Sequence, residues 1–407
     1  MIHVFCLISS EYIIDMIISN SALTVLFISH VNPVLRAAGN EIRILKMINW
    51  LRAEGVHVVL LLNLPPISSE IREQLLNIVD AVHTIDECQR PFPRRIINAA
   101  DGLFSRHRAP RTEAKKMRSY LGSPSLIQAT GVLCKRYSPQ VVIAEYVLST
   151  PCMREVPSGV LKLVDTHDLL SKRDPKESIY CSAEEEREYL LNVDVVIAIQ
   201  DSEAEQFRAL VPERKVVTVG IDYELVTHYK IDEYYKNTVL VVGSNYEANV
   251  SGLKAFCEHA WPLVCNENPR AELLVAGNIG DALFINVPQV KVLGWVDDLK
   301  SLYRQSAVVI NPTMTGTGLK IKTVEALCNG KPLVATPNAI EGLISKGETP
   351  CMVCDNWPEF ASAIVSLLGS DERCQALQDS ALRYAQDRFS SGKVYAQLAA
   401  ILKSQVK

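Results

Sequence analysis

The stretch AVVINPTMTGTGLKIKTVEALCNGKPLVATP (307–337) decides the fold that we expect for this chain of 407 residues. It begins with an apolar run typical of a buried strand, AVVINP (307–312), and ends with a second such run, KPLVATP (331–337). Between them lie a glycine-containing loop and a helical segment that Asn329 and Gly330 end, as glycine commonly does after a helix. The order strand, helix, strand predicts a parallel βαβ unit.

The same alternation extends in both directions from this stretch. Further strands of the second half are predicted at TVLVVG (238–243), AELLVAG (271–277) and QVKVLG (289–294). The first half repeats the pattern, with a helix that begins at Gly39, and its predicted strands are TVLFIS (24–29), VHVVLLLN (56–63), AVHTI (81–85), VVIAE (141–145), LKLVDT (161–166), DVVIAI (194–199) and KVVTV (215–219). Continuous apolar strands of this kind predict parallel sheets that helices cover on both faces.

The length and the apolar fraction of 48% suffice for two packed domains. We predict an N-terminal extension of unassigned role over 1–23, a first doubly wound α/β domain over 24–220 and a second over 221–390. A C-terminal helix within 391–407 is expected to cross back onto the first domain. Ligands of doubly wound sheets bind beyond the carboxyl ends of the strands, so the sequence predicts a binding cleft between the two domains.

The charge and the cysteine content indicate which classes of protein are compatible with this sequence. The net charge of −4 and the pI near 6.1 argue against nucleic acid as a partner. The eleven cysteines are irregularly spaced, which favours reduced thiols in a cytoplasmic protein over a disulfide framework. Cys351 and Cys354 form a CxxC motif without a second ligand pair, so we interpret them as thiols at a strand edge and predict no metal site. The apolar N-terminus lacks the basic region of a signal peptide, and Glu11 and Asp15 interrupt it.

One segment departs from the alternation. Residues 90–120 carry nine Lys or Arg and two acids, interleaved with Phe92, Phe104 and Tyr120. The first interpretation is a solvated surface arm. The second is a basic face that approaches anionic lipid headgroups at the inner membrane surface, and RNA binding is a third.

The loop of the opening stretch has the composition of an anion site. Glycines between a strand and a helix let backbone N–H groups approach a ligand, and the helix N-terminus attracts negative charge. Both the P-loop pattern and the dinucleotide fingerprint are absent, the latter because Ile321 occupies its third glycine position. Lys320, in the first predicted turn, is well placed for a phosphate, whereas Lys322 points elsewhere. Glu325 either binds two adjacent hydroxyl groups, as on a ribose, or pairs with Lys322 at i+3.

In the first half, His167 and Asp168 directly follow the predicted strand 161–166, at the mouth of the expected cleft. A lone histidine is often structural, and Asp168 has the composition of a helix cap. Their position at a strand end favours a functional role for both.

These residues together resemble a known family. NPTMTGTGLKIKTVEALCNGKPLVATPNAIEGL (311–343) resembles the donor-site signature of family 4 glycosyltransferases, also called glycosyl transferases group 1. The resemblance extends to 239–256, to 292–312 and, more generically, to 29–61. It implies a GT-B fold, in which two Rossmann-like doubly wound parallel-sheet domains face a central cleft, and sugar transfer with retention that requires no metal and no cofactor.

The resemblance also implies roles for individual residues. Lys320 and the glycines beside it would hold the donor diphosphate, Glu325 the ribose, and His167 and Asp168 the reacting sugar and the acceptor hydroxyl group. The implied catalytic residues are His167, Asp168, Lys320 and Glu325. The implied donor-binding residues are Gly39, Gly243, Ser244, Val296, Gly316, Thr317, Gly318, Leu319, Lys320 and Glu325. The sequence departs from the family pattern at Thr317, where the first of two paired glutamates is common.

The function predicted from the resemblance is transfer of a sugar from a UDP- or GDP-sugar to a glycan or lipid-linked acceptor, in polysaccharide or glycolipid assembly. Two alternatives stay open from the sequence. One is a nucleotide-sugar epimerase of the same fold, and the other is a non-catalytic subunit that binds a nucleotide-sugar.

Overall fold

The computed structural model describes residues 23–36, 38–88, 120–175, 179–226, 235–282, 287–316, 319–343 and 350–405. Two predictions fall largely outside these ranges. The N-terminal extension lies outside them except for its last residue, and so does the basic segment 90–120 except for Tyr120. The hydroxyl group of Tyr120 donates a hydrogen bond to the backbone carbonyl of Asn63.

A parallel sheet of seven strands organises the first half, in the order β3-β2-β1-β4-β5-β6-β7. Its strands are β1 (Thr24–Ser29), β2 (His57–Leu62), β3 (Ala81–Thr84), β4 (Val141–Glu145), β5 (Leu161–Asp165), β6 (Val195–Ala198) and β7 (Lys215–Thr218). The helices of this half are α1 (Gly39–Ala53), α2 (Ser69–Leu76), α3 (Pro124–Tyr137), α4 (Ala183–Leu190) and α5 (Asp201–Leu210). Short 3-10 helices span Ile85–Cys88, Val147–Glu155 and Leu170–Lys172.

A second parallel sheet follows, with six strands in the order β10-β9-β8-β11-β12-β13. They are β8 (Thr238–Val242), β9 (Glu272–Ala276), β10 (Val290–Gly294), β11 (Val308–Asn311), β12 (Leu333–Ala335) and β13 (Met352–Val353). The helices are α6 (Glu247–His259), α7 (Trp261–Glu267), α8 (Leu299–Arg304), α9 (Ile321–Cys328), α10 (Trp357–Leu368), α11 (Asp371–Arg388), α12 (Ser391–Val394) and α13 (Ala396–Lys403), with 3-10 helices at Asn278–Ala282 and Asn338–Ile340.

Each sheet is covered on both faces, which explains the continuous apolar strands. In β1, Val25 and Phe27 pack into one core, and Leu26 and Ile28 pack into the other. Alternate side chains of a strand point to opposite faces, so a strand buried on both faces shows no alternation of polar and apolar residues. The predicted α/β class with two doubly wound parallel sheets is confirmed.

The C-terminal helices join the first sheet rather than the second. Tyr395 stacks on Trp50 of α1 with ring centroids 4.4 Å apart, and its hydroxyl group donates to Asp222 over 2.9 Å. Leu398 and Ile401 are buried in the same core as β1 and β2. The chain therefore links the two halves twice, through residues after β7 and through α12 and α13.

The cysteines of the second domain agree with an expectation from the sequence. Cys351 and Cys354 flank the two-residue strand β13 and are buried, and the cysteines of the described ranges are free thiols, as interpreted from the sequence. Asp298 caps α8 by accepting a hydrogen bond from the Ser301 backbone over 3.0 Å. Within the described ranges, none of the helices combines the length and the apolar character that a membrane span requires.

Candidate functional site

The carboxyl ends of β4 and β5 form the first rim of the cleft, which we define as residues 145–146 and 165–168. His167 follows β5 by two residues and is 8% exposed. Its Nε2 atom shares a hydrogen bond with the Oε2 atom of the fully buried Glu145, the last residue of β4. Its ring stacks on that of Tyr146, with centroids 4.4 Å apart and planes 12° from parallel.

The backbone of this rim is strained in two places. Tyr146 has a φ of 66° and His167 a φ of 61°, a left-handed conformation that is uncommon for residues with large side chains. Such conformations cost about 1–3 kcal/mol and persist where the surrounding structure enforces them, often at functional sites. The strain therefore marks the first rim, and not only His167, as a candidate functional element.

A buried ion pair between α1 and the end of β5 supports the first rim. Arg43 of α1 is 1% exposed and makes a bidentate pair with Asp165, with both N–O distances 2.7 Å. It also donates to the backbone carbonyl of Val219 over 2.8 Å. Burial raises the pKa of Glu145 to about 7, and the Asp165 carboxylate adds to this effect. Arg43 thus balances the charge of a rim that holds two buried acids.

Glu145, Asp165 and His167 also have the residue types of a metal site, since one ligand atom from each lies within 4.8 Å of the others. Two features of the rim disfavour a cation there. The Asp165 carboxylate is already engaged by the guanidinium group of Arg43, and Nε2 of His167 is bonded to Glu145. A second cation beside Arg43 would meet like charge in a buried setting.

Asp168 and Glu203 continue this side of the cleft. Asp168 accepts a hydrogen bond from the Arg173 side chain over 2.7 Å. Glu203, in the first turn of α5, is 4% exposed and faces the cleft, where Gln200 donates to it over 3.2 Å. Burial, followed by the Asp168 carboxylate, raises the pKa of Glu203 to about 8. Nothing in the sequence singles out Glu203, because an acid in the first turn of a helix is ordinary.

The second rim, which we define as residues 243–244, 277–278 and 311–316, lies at the carboxyl ends of β8, β9 and β11. Asn311 ties its loop to α9 by donating to the Thr323 hydroxyl group over 2.9 Å. Thr313 donates to the Asn311 side chain over 2.8 Å. These side-chain bonds fix the path of the chain into Gly316, whose φ of 107° is outside the range of most residues.

At this rim the structure corrects the predicted start of the helix. Helix α9 begins at Ile321, so Lys320 precedes it, and the Lys320 ammonium group bonds the Gly316 carbonyl over 3.0 Å. Burial lowers the pKa of Lys320, although Glu341, Glu203 and Asp168 oppose this shift. Among the described residues it is Lys322, predicted to point elsewhere, that lines a cavity with Glu325.

Glu325 makes the ion pair with Lys322, which is one of the two interpretations that the sequence left open, and its contact with a ribose stays a prediction. Its carboxylate pairs with Lys322 over 3.1 Å, and yet the residue is only 8% exposed. Burial, and then the Glu325 carboxylate, raises the pKa of both Tyr223 and Tyr303 well above the usual value. Glu325 is thus a buried acid that two phenol groups and one lysine surround.

Residues of both domains line a cavity of about 380 Å³ around Glu325. The first domain contributes Gly39 and Lys46, and the second contributes residues that the sequence placed in the donor site, namely Gly243, Ser244, Val296 and Glu325. A Cβ atom on Gly39 would lie 2.9 Å from the Ile321 side chain, so a glycine there lets α1 approach the start of α9. Leu319 is buried in the core beneath this site, and Thr317 and Gly318 lie outside the described residues.

The residues of this cavity that were missed from the sequence include Lys46, Tyr223 and Trp295. Tyr223 lies in the connection between the two sheets, and the Lys46 ammonium group is 4.2 Å from the centre of its ring. Trp295 is 58% exposed at the edge of the cavity and donates to Asp297 over 2.9 Å. An aromatic residue directly after a strand was the available signal for Trp295, whereas nothing in the local sequence marks Tyr223.

A larger cavity of about 1220 Å³ lies between the domains on the side of Gly316. Its walls come from Leu169 and α5 in the first domain, and from α6 and Glu341 in the second. Gly342 approaches Gln200 so closely across the cleft that a Cβ atom there would overlap the Gln200 side chain. Of the predicted catalytic residues, His167 and Asp168 belong to the first rim, and Glu325 belongs to the smaller cavity.

Comparisons with known proteins agree with this architecture. Residues 236–370 match the family described as glycosyl transferases group 1. A curated relative, an uncharacterized 44.6 kDa protein in the cps region of Klebsiella pneumoniae, is 23% identical over 184 residues, which cover 42% of this chain. That match spans about half of the relative, 47% of its length.

Solved structures resemble the chain over nearly its whole length. Sucrose-phosphate synthase from Thermosynechococcus elongatus is 17% identical with a TM-score of 0.67, covering 94% of this chain and 98% of its own. The pneumococcal O-GlcNAc transferase GtfA in complex with UDP and GlcNAc is 12% identical with a TM-score of 0.67, and the match covers 95% of this chain and 100% of GtfA. Anabaena Alr3699/HepE in complex with UDP and glucose is 14% identical with a TM-score of 0.64, and the match covers 94% of this chain and 100% of HepE. The predicted GT-B fold is confirmed.

Proposed function

We propose that this chain is a retaining family 4 glycosyltransferase that moves a sugar from a UDP- or GDP-sugar to a glycan or lipid-linked acceptor. The proposal includes a cytoplasmic location and a reaction that requires no metal. The observation that carries it is the cavity of about 380 Å³, where Gly39 of the first domain meets Gly243, Ser244, Val296 and Glu325 of the second. The family match over 236–370 supports the same assignment, because it covers the second-domain side of that cavity.

The chemistry of the cavity suits a nucleoside diphosphate. Glu325 is an acceptor that can bind two adjacent ribose hydroxyl groups, and Trp295 offers an aromatic surface at the cavity edge. Lys322 and Lys320 supply positive charge on either side of the α9 N-terminus. An ammonium group 4 Å from a phosphate oxygen contributes about 4 kcal/mol at an effective dielectric of 20.

Charge development in the reaction explains why these groups would accelerate it. Breaking the anomeric C–O bond leaves positive charge on the sugar and negative charge on the diphosphate. Cations and N–H dipoles that are fixed before the reaction stabilise the departing diphosphate mainly in the transition state. Closure of the two domains around the donor would exclude water, which otherwise hydrolyses it.

The larger cavity favours a transferase over an epimerase. An epimerase needs room for the nucleotide-sugar alone, whereas a volume of about 1220 Å³ beside Gly316 leaves room for an acceptor as well. Both His167 and Asp168 lie on the first-domain side of the cleft, opposite the proposed diphosphate site. This is the side from which an acceptor would approach.

The test is a binding panel followed by product analysis. We expect a UDP- or GDP-sugar to raise the melting temperature of the full chain without Mg²⁺, with about 2.7 kcal/mol of stabilisation at 100 times the dissociation constant. Lys320→Ala should weaken that binding, and Lys300→Ala, which removes an exposed lysine of α8, should not. If UDP-, GDP- and ADP-sugars all fail to shift the melt, the proposal is wrong. A product with inverted anomeric configuration would contradict the retaining mechanism.

A further inference from the structure

The first rim contains a buried carboxyl group whose role the proposed function does not explain. Glu145 is 0% exposed, and its Oε2 atom bonds Nε2 of His167. We infer that Glu145 is a positioning residue, which determines the ring nitrogen of His167 that carries a proton and leaves Nδ1 available to a sugar hydroxyl group. The identity of that ligand rests on the proposed function, whereas the coupling between the two side chains does not.

Three contacts hold the imidazole ring of His167 in one orientation. Glu145 bonds Nε2, the Tyr146 ring lies 4.4 Å away and nearly parallel, and the backbone of His167 is in the left-handed region. The Nδ1 atom makes no hydrogen bond with the part of the chain that the structure describes, and it keeps access to solvent. It is therefore the ring nitrogen that a ligand in the cleft can reach.

The protonation of the pair decides what Nδ1 can do. When Glu145 is ionised, it accepts the Nε2–H hydrogen of a neutral His167, and the Nδ1 lone pair accepts a hydrogen bond from a hydroxyl group. When the pair takes up one more proton from solvent, Nδ1 carries hydrogen and becomes a donor. No other bond changes between the two states, so the pair selects between acceptor and donor at one position.

Groups from several elements surround this pair. They are His30 after β1, Arg43 of α1, Tyr146, Asp165 at the end of β5, and Asp168. Burial, and then the neighbouring His167, lowers the pKa of His30 to about 4, which keeps His30 neutral near pH 7. The guanidinium group of Arg43 is held by Asp165, which lies 3.8 Å from Nε2 of His167. Burial, and then the Asp165 carboxylate, raises the pKa of Glu145 to about 7.

The first test follows the histidine ring signals of the full chain by NMR during a pH titration. Replacing Glu145 by Gln removes the carboxylate that stabilises the imidazolium form of His167. We expect Glu145→Gln to lower the titration midpoint of His167 by about 1–3 pH units. The midpoint of His83, which bonds Tyr137 at the far edge of the sheet, should stay unchanged. An unchanged His167 midpoint would overturn the inference.

A matched variant controls for loss of a buried acid in general. Glu186 is also 0% exposed, and its carboxylate accepts hydrogen bonds from the backbone of Leu170 and Ser171 rather than from a histidine. Glu186→Gln should lower the melting temperature without moving the His167 midpoint. If both variants move that midpoint equally, the effect belongs to buried charge in general and the inference fails.

The second test is a double-mutant cycle on sugar transfer. We expect Glu145→Gln to lower kcat about 100-fold with an unchanged KM for the donor, because a misplaced group costs rate rather than ground-state binding. In a His167→Gln background the same change should have no further effect, since Glu145 acts through His167. A full further loss in that background would contradict the inference. Absence of transfer by the wild-type protein would overturn the proposed function instead, while the NMR titration would still test the pair.

Discussion

The two rims of the cleft are built from opposite kinds of residue. The first rim holds Glu145, Asp165 and His167 as buried polar groups on a backbone that is strained at two positions; Glu145 bonds His167, and Asp165 lies 3.8 Å from Nε2 of His167. The second rim contains Gly243, Gly277 and Gly316, and its side chains bond one another and helix α9. A network of buried charges fixes the orientation of reacting groups, whereas glycine leaves the volume and the N–H groups that a diphosphate requires. In these two rims, the buried charged groups belong to the first domain and the glycines of the loops belong to the second.

The largest expected effect tests the charge balance of the first rim. Arg43→Met leaves the buried Asp165 carboxylate without its partner, and we expect a loss of about 3–5 kcal/mol in the free energy of unfolding, measured with urea. Arg52→Met is the matched change in the same helix, because Arg52 pairs with Asp80 at 41% and 22% side-chain exposure. That variant should lose less than about 1 kcal/mol. Equal losses would remove the distinction between a buried and an exposed pair.

The next prediction concerns the ligand side of the second domain. Glu325→Ala removes a buried acceptor from the smaller cavity, and hydrogen bonds that involve a charged group contribute about 1.5–3 kcal/mol. We expect calorimetry to show a tenfold or larger loss of affinity for the preferred nucleoside diphosphate. Glu258→Ala, at an acid whose side chain is 74% exposed on α6, is the control and should bind normally. Equal affinities in the two variants would exclude Glu325 from the site.

A third prediction tests the glycines of the second rim. Gly277 has a φ of 87°, and a Cβ atom there would lie 2.2 Å from the Gly243 carbonyl oxygen. Gly277→Ala should therefore shift the rim and destabilise the protein by about 1–3 kcal/mol more than Gly55→Ala. Gly55 has a φ of 77° and nothing within 4 Å of the added atom, so it carries only the conformational penalty. If the melting temperatures of the two variants agree, close packing at Gly277 is unimportant.

The last prediction is a pH dependence of stability. Glu203 has a pKa raised to about 8 in the folded chain, above its unfolded value near 4.5. Between these values the folded state binds more protons than the unfolded state, so stability is complete below about pH 4.5 and is lost as the pH rises through about 8. One differing proton contributes at most about 1.4 kcal/mol per pH unit. We expect Glu203→Gln to flatten the decline of unfolding free energy between pH 6 and pH 8, and an unchanged slope would contradict the prediction.

Much of the fold could be predicted from the sequence, because local pattern and parallel topology are closely linked. Each predicted strand is present within one or two residues, and α1 begins at Gly39 as expected. The strand Met352–Val353 was missed because two residues are too few to show a pattern of polar and apolar positions. Helix α9 was predicted to include Lys320, since a cap and a first turn have similar composition.

The candidate site was less predictable, for a reason that particular residues illustrate. His167 and Asp168 were found because they follow a strand. Arg43 was missed because it lies among the apolar residues of α1 and its partner, Asp165, is 122 positions away. Glu145 was predicted only as part of the strand 141–145, and the neighbouring strand places it against His167.

The sequence by itself determined the alternation of strands and helices, the glycine loop after β11 and the acid and lysines in and before α9, because each is a local pattern of residue types. Only the tertiary structure decided that Glu145 bonds His167, that Lys322 rather than Lys320 lines the cavity with Glu325, and that Arg43 balances the buried acids. The physical reason is that burial and charge interactions depend on distance in space. Parallel strand pairing brings together side chains that are far apart along the chain.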